Sequence, residues 1–209
     1  RNVWIDWLFH LSNLHNLNLK DISLDDFCEE NINENPVISD IEYYKNFLDW
    51  GMDGEPNNLC DDVIKWLKKN IPSDSNPNKL CWGDSRLGNV LYQDYKATAL
   101  LDWEMSSIGD PVSDLAWGFA VDDASSLGLG IKKLEGSLDS NEAIDIWEEN
   151  TNLSSKNYKF YRIFSLLKFS IIMIRVAKKL MINNIIELEK DFYKNNYISN
   201  FLEKEFKQI

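Results

Sequence analysis

Histidine, paired cysteine and net positive charge are all scarce in this 209-residue chain, and each scarcity removes a class of function. The two histidines, His10 and His15, lie five apart in a stretch with helical spacing and do not share a face. A histidine-based zinc centre and a Ser–His–Asp triad are therefore set aside. The three cysteines, Cys28, Cys60 and Cys81, form no C-x-x-C pair and are odd in number, so a reduced, cytoplasmic protein is expected. Lys and Arg total 22 against 34 Asp and Glu, a formal net charge of −12. That balance speaks against a nucleic-acid surface, which needs excess cations to displace counterions, and against binding to anionic membranes. It leans faintly towards cationic ligands. Long apolar runs are missing too. The most apolar segment, Phe160 to Ile182, is broken by Arg162, Lys168 and Arg175, well short of the roughly 20 apolar residues a membrane span needs. The opening "RNVWIDWLFH" carries Asp6 among its apolar residues and does not read as a signal peptide.

What is present is core material: 44% hydrophobic residues, with eight Trp and ten Phe. A chain of this length buries about 70% of the surface its unfolded form exposes, enough for one domain or a domain of two small lobes. Residues 1–19 place Val3, Trp4, Trp7, Leu8, Leu11, Leu14 and Leu17 at helical spacing. Residues 20–38 are acidic and Asn-rich and read as a loop. Ser39 or Asp40 is expected to cap a helix through Tyr43, Tyr44, Phe47 and Trp50, closed by Gly51. Leu59 to Leu67 gives a further helix, ended near Pro72. The pattern then changes. "LCW", "NVLYQD" and "ATALLD" are short β-rich runs broken by turn residues. Helical spacing resumes at "VSDLAWGFAV", and Asn141 to Asn150, Lys156 to Asn183 and Phe192 to Phe206 read as three more helices. The fold class expected is α+β: mostly helical, with a small β patch in mid-chain.

That patch, "LCWGDSRLGNVLY", places Asp84, Arg86 and Asn89 within six residues. The D-x-x-x-x-N spacing alone carries nothing. It recurs at Asp26/Asn31, Asp53/Asn58, Asp145/Asn150 and Asp191/Asn196. Context separates the Asp84 case. Asp84 follows an apolar run and a glycine, at a strand-to-loop junction. Asn89 begins the next strand, and Asp102 ends "ATALLD". Two strands about a tight turn bring Asn89 and Asp102 together as oxygen ligands suited to Mg²⁺. Asp84 nearby can accept a hydroxyl proton, and Arg86 can balance phosphate charge, the constellation of phosphoryl transfer.

Beyond these residues, Gly83-Asp84, Arg86, Gly88-Asn89, Leu101-Asp102-Trp103-Glu104, Gly109-Asp110-Pro111 and Asp114-Leu115-Ala116 follow one another in order. Together they resemble the catalytic core of the aminoglycoside phosphotransferase/choline kinase family. The similarity is to the branch like the kinase-like domain of acyl-CoA dehydrogenase family member ten. The resemblance implies a protein-kinase-like C-terminal lobe spanning residues 1–209. It implies an ATP- and Mg²⁺-dependent phosphotransferase acting on a small-molecule hydroxyl, while the charge balance above speaks against nucleic acid and membrane as partners. It makes Asp84 the catalytic base, Arg86 a phosphate-balancing cation, and Asn89 and Asp102 the Mg²⁺ ligands at the ATP phosphates. Asp114 resembles a helix Asp that braces the catalytic loop through backbone N–H groups, and Glu104 a carboxylate that supports the metal through water. Trp82 stands where many relatives carry His. Trp103 and Trp117 are expected in the core. Of nine glycines, only Gly51, Gly54 and Gly83 precede Asp84, and nothing before residue 80 reads as a Gly-rich β-sheet. An N-terminal ATP-clamping lobe is therefore expected to be absent from this chain. The alternative is a non-catalytic lobe that binds a ligand or partner.

Overall fold

A computed structural model describes residues 1–21, 35–185 and 194–209. Seven α-helices surround two small antiparallel β ribbons among these residues. The helices are α1 (Asn2–His15), α2 (Pro36–Met52), α3 (Asn58–Lys69), α4 (Val112–Ser126), α5 (Ser140–Thr151), α6 (Tyr158–Ile182) and α7 (Tyr197–Phe206). The strands are β1 (Lys79–Cys81), β2 (Val90–Gln93), β3 (Lys96–Leu100) and β4 (Ser107–Gly109). The architecture is α+β and helix-rich, as expected. None of the described helices is long and apolar enough to cross a membrane.

Helix α6 is the central post. It packs against α2, α3, α4 and α7. Its apolar residues Ile163, Phe164, Leu166, Leu167 and Ile171 are nearly solvent-free. Of the three cations that break its apolar run, Arg162 turns to structure. Its Nη1 donates to Asp123 of α4 at 2.8 Å and its Nε to Glu205 of α7 at 2.8 Å.

Helix α1 buries Trp4, Trp7, Leu8, Leu11 and Leu14, the face its spacing predicts. Asp6 lies on that helix and is buried as well. It accepts from the N–H of Ala97 at 2.6 Å and from the Lys96 ammonium at 2.9 Å, pinning β3 to α1. Its burial opposes ionisation. The Ala97 N–H and the Lys96 ammonium together outweigh that, and hold the carboxyl below its usual value.

Several boundaries differ from expectation. Helix α2 starts at Pro36, inside the expected loop, and neither Ser39 nor Asp40 caps it. Asn35 does: its side chain accepts from the Val37 N–H at 3.0 Å, and Pro36 supplies a first helical residue that needs no donor. Gly51 lies within the helix, which ends at Met52 with Asp53 in the left-handed region. Strand β4 was not anticipated. "SIG" shows no alternation and is a strand because β1 pairs with it, Lys79 opposite Gly109 and Cys81 opposite Ser107. Most of the expected loop over 20–38, the start of the helix expected from Phe192, and Cys28 lie outside the described residues. Cys60 and Cys81 are buried free thiols, and burial pushes both up from their ordinary value.

Candidate active site

Strand β1 delivers the chain into a loop from Trp82 to Asn89 that is held from below by α4. Asp114, in the first turn of α4, accepts from the Trp82 N–H at 2.6 Å and the Gly83 N–H at 2.7 Å. The Ser85 hydroxyl donates to the Asp114 carbonyl at 2.6 Å, and the Trp7 indole N–H to the Ser85 carbonyl at 3.0 Å. His15, fully buried, completes the brace with Nε2 3.1 Å from Asp114 Oδ2. Its Nδ1 accepts from the Trp147 indole at 2.9 Å. An indole only donates, so the bonding network places the His15 proton on Nε2, facing Asp114. The isolated histidine is thus a structural one.

Two glycines permit this arrangement. Gly83 has φ +86°, and a Cβ there would collide with the Met105 carbonyl. Gly118 lets α4 approach the loop: a Cβ would lie 2.7 Å from the Trp7 ring and 2.9 Å from the Ser85 carbonyl.

Asp84 is buried, and three donors fix its carboxylate. Oδ1 accepts from the Trp117 indole N–H at 2.7 Å. Oδ2 accepts from Asn89 Nδ2 at 2.8 Å and from Arg86 Nε at 3.1 Å. The Arg86 side chain is about half exposed (47%), so its guanidinium is not committed to Asp84 alone. Asn89 closes a 3-10 turn, Leu87–Asn89, and strand β2 begins one residue later. Its Nδ2 also donates to the Asp84 carbonyl at 3.0 Å.

The β2–β3 hairpin brings Asp102 to this loop. Asp94 and Tyr95 both have positive φ, the signature of a two-residue type I′ turn. Val90 then pairs with Leu100, and the Leu101 N–H continues the ladder to the Asn89 carbonyl at 2.8 Å. Asp102 follows, two residues past the strand end rather than on it, at φ +60°. Asp84, Arg86, Asp102, Glu104, Trp117 and Arg175 line one cavity of about 590 Å³, a size suited to a small ligand. Asn89 is not in that lining; it is buried and bonded to Asp84, which is.

The donor set is compatible with a hard cation. Among the described residues, no group of three or more His, Cys, Asp or Glu is arranged to hold a metal. Mg²⁺ does not require one, since it is commonly held by one or two protein oxygens with water and phosphate filling its other positions. Asn89 has its amide nitrogen turned to Asp84, and Asp102, exposed and just beyond the ladder, makes no hydrogen bond among the described residues.

Trp82 is fully buried, and its indole donates to the Leu101 carbonyl at 2.8 Å, tying the loop to the Asp102 segment. Trp103 is not in the core: it is 38% exposed and tilts against Trp82. Trp117 is in the core, yet it also touches Asp84, a role the sequence reading did not give it. The signal was available: Trp117 lies three residues after Asp114, on the same helical face. Arg175 reaches the cavity with its guanidinium over the rings of Phe47 (4.5 Å) and Trp50 (5.7 Å).

A helical lobe that presents such a loop above a braced helix is that of a kinase-like fold. A solved structure described as a candidate aminoglycoside phosphotransferase from Ralstonia eutropha superposes with a TM-score of 0.78 at 20% identity, covering 99% of this chain and 65% of that one. An ethanolamine kinase from Plasmodium vivax superposes with a TM-score of 0.63 at 13% identity, covering 98% of this chain and 58% of that one. A model of the phosphotransferase enzyme family matches residues 10–141, and the chain belongs to that family. It is 45% identical over 56 residues to acyl-CoA dehydrogenase family member 11 of Homo sapiens, 26% of this chain and 7% of that protein. It is 28% identical over 135 residues to family member 10 of Mus musculus, 56% of this chain and 12% of that protein. The chain thus matches only a small part of the length of these curated relatives.

Proposed function

We propose that residues 1–209 form the C-terminal lobe of an ATP- and Mg²⁺-dependent phosphotransferase that moves the γ-phosphate to a hydroxyl of a small molecule. The observation that carries the reading is the setting of Asp84. Its carboxylate is fixed by Trp117, Asn89 and Arg86 at the wall of a ligand-sized cavity that Asp102 also lines. Asp84 accepts the proton of the acceptor hydroxyl as its oxygen attacks phosphorus, a role that needs an oriented carboxylate within reach of the substrate. Arg86, half exposed, turns from Asp84 towards the phosphate and balances its charge. Asn89 and Asp102 hold Mg²⁺, which when bound neutralises charge on the phosphate oxygens. Asp114 keeps the loop in register through the Trp82 and Gly83 N–H groups.

Calorimetric titration of the protein, produced from its complete reading frame, with Mg²⁺-ATP tests the nucleotide half of the reading. Saturable binding is expected, weakened at least about tenfold in Asp102→Asn. A wild-type titration without saturable heat contradicts it. Nucleotide-independent ligand binding without phosphoryl transfer would instead mark a non-catalytic lobe.

A further inference from the structure

His15 and Trp147 do not line the cavity at Asp84, yet both are fully buried and hydrogen-bonded in a line that ends at its loop. The Asp114 carboxylate, 1% exposed, accepts three N–H groups among the described residues: those of Trp82, Gly83 and His15. The first two belong to the loop that Asp114 holds. A carboxylate fixed only by that loop would turn with it. His15 is the donor that comes from elsewhere, the last turn of α1, and it shares Oδ2 with the Trp82 N–H. It therefore sets the plane in which Oδ1 meets Gly83 and Oδ2 meets Trp82.

The His15 ring has one state that satisfies both of its neighbours. The Trp147 indole donates to Nδ1 at 2.9 Å and packs edge-on, 5.8 Å between ring centroids. A proton on Nδ1 would set two N–H donors against each other at Trp147, and a lone pair against a carboxylate at Asp114. A flipped ring would put carbon at both positions. Each alternative leaves buried polar groups unpaired, which is costly. Helix α5, which carries Trp147, is itself tied to the end of α1: the Asn16 amide donates to the Asn150 carbonyl at 3.0 Å.

We infer that His15 is a positioning residue for phosphoryl transfer, held in one tautomer by Trp147 and acting through Asp114 on the loop that presents Asp84. The inference rests on the phosphotransferase reading for its effect on turnover, and on the hydrogen bonds alone for its effect on the loop. Trp82 and Gly83 lead directly into Asp84, so a shift of their N–H groups is a shift of the base. A misplacement of about 1 Å in a reacting group can cost about a hundredfold in rate. About tenfold is expected from the smaller shift that follows the loss of one donor to Asp114.

The test compares the protein from its complete reading frame with two variants. His15→Phe keeps a ring and removes both nitrogens, and His15→Gln keeps an acceptor and a donor. Nitrogen-15 NMR of the wild type at neutral pH is expected to show His15 as a single tautomer with its proton on Nε2. In His15→Phe, hydrogen exchange at the Trp82 and Gly83 amides should quicken about tenfold or more relative to amides of α6. Its kcat should fall about tenfold, with the Kd for Mg²⁺-ATP within about twofold of wild type. His15→Gln should recover most of both losses. A proton on Nδ1, unchanged exchange at the two amides, or a wild-type kcat in folded His15→Phe overturns the inference, whatever happens to the melting temperature. If His15→Phe does not fold, as judged by circular dichroism, Trp147→Phe decides. There His15 stays but loses the donor to Nδ1, so both tautomers should appear and kcat should fall; a single tautomer or a wild-type kcat overturns the inference. A wild type that transfers no phosphate refutes the enzyme, and the tautomer and the amide exchange then decide whether His15 holds the loop.

Discussion

The indole N–H of Trp117 lies 2.7 Å from Oδ1 of Asp84, so one turn of α4 controls both the backbone and the side chain of the loop. Asp114 takes the Trp82 and Gly83 N–H groups, and three residues later Trp117 takes the carboxylate. Asp84 Oδ2 is left to Asn89 and Arg86. The carboxylate is thereby oriented by two buried groups, Trp117 and Asn89, and by the half-exposed Arg86.

Trp117→Phe removes the donor while keeping an aromatic ring beside Lys168. The loss of one charge-assisted hydrogen bond is expected to lower kcat about tenfold, roughly 1.4 kcal/mol in the barrier, and the smaller ring at a buried position, with Asp84 Oδ1 left unsatisfied, should also lower the melting temperature. Steady-state kinetics of phosphoryl transfer measure this. A variant with wild-type kcat would remove Trp117 from any positioning role.

Gly83→Ala is expected to be far more damaging than an exposed Gly-to-Ala change. The residue has φ +86°, and the added methyl meets backbone rather than a yielding side chain. A loss of about 3 kcal/mol or more in unfolding free energy should appear in urea denaturation, together with loss of activity. A cost under about 1 kcal/mol would mean that the loop can move away from Met105 freely.

Asp6 gives stability a pH dependence of known sign. Its carboxyl sits below its usual value of 3.8 in the folded protein. Its contribution is therefore complete above that value and is lost as pH falls through the lowered folded one. Asp6→Ala leaves the Ala97 N–H without its acceptor and should cost about 1–3 kcal/mol at neutral pH. The gap in urea midpoint between wild type and variant should narrow on going to about pH 3. A gap unchanged in acid would show that ionised Asp6 contributes nothing.

Much of the candidate site could be read from the chain because its residues are close in sequence. Asp84, Arg86 and Asn89 share one loop, and Asp102 follows across one hairpin, so local turn chemistry suffices to bring them together. The unread parts depend on contacts between distant segments. Strand β4 exists through its pairing with β1. The use of His15 depends on α1 crossing near both α4 and α5, which supply Asp114 and Trp147. Lys168 reads in sequence as a break in an apolar helix. That it meets aromatic rings and makes no ion pair among the described residues emerges only once α2 and α4 have placed Tyr44 and Trp117 around it. The start of α2 was misplaced for a different reason. In a stretch rich in Asn and Asp, several residues can cap a helix, and Pro36 decides in favour of Asn35.

The most direct measurement is Mg²⁺-dependent transfer of the ATP γ-phosphate to hydroxyl compounds by the protein from its complete reading frame, compared with its Asp84→Asn variant. The two should melt at closely similar temperatures, and the variant should turn over at least about a hundredfold more slowly, the scale of a lost general base. Equal turnover by the variant would show that Asp84 is not the proton acceptor and would contradict the phosphotransferase site described around it.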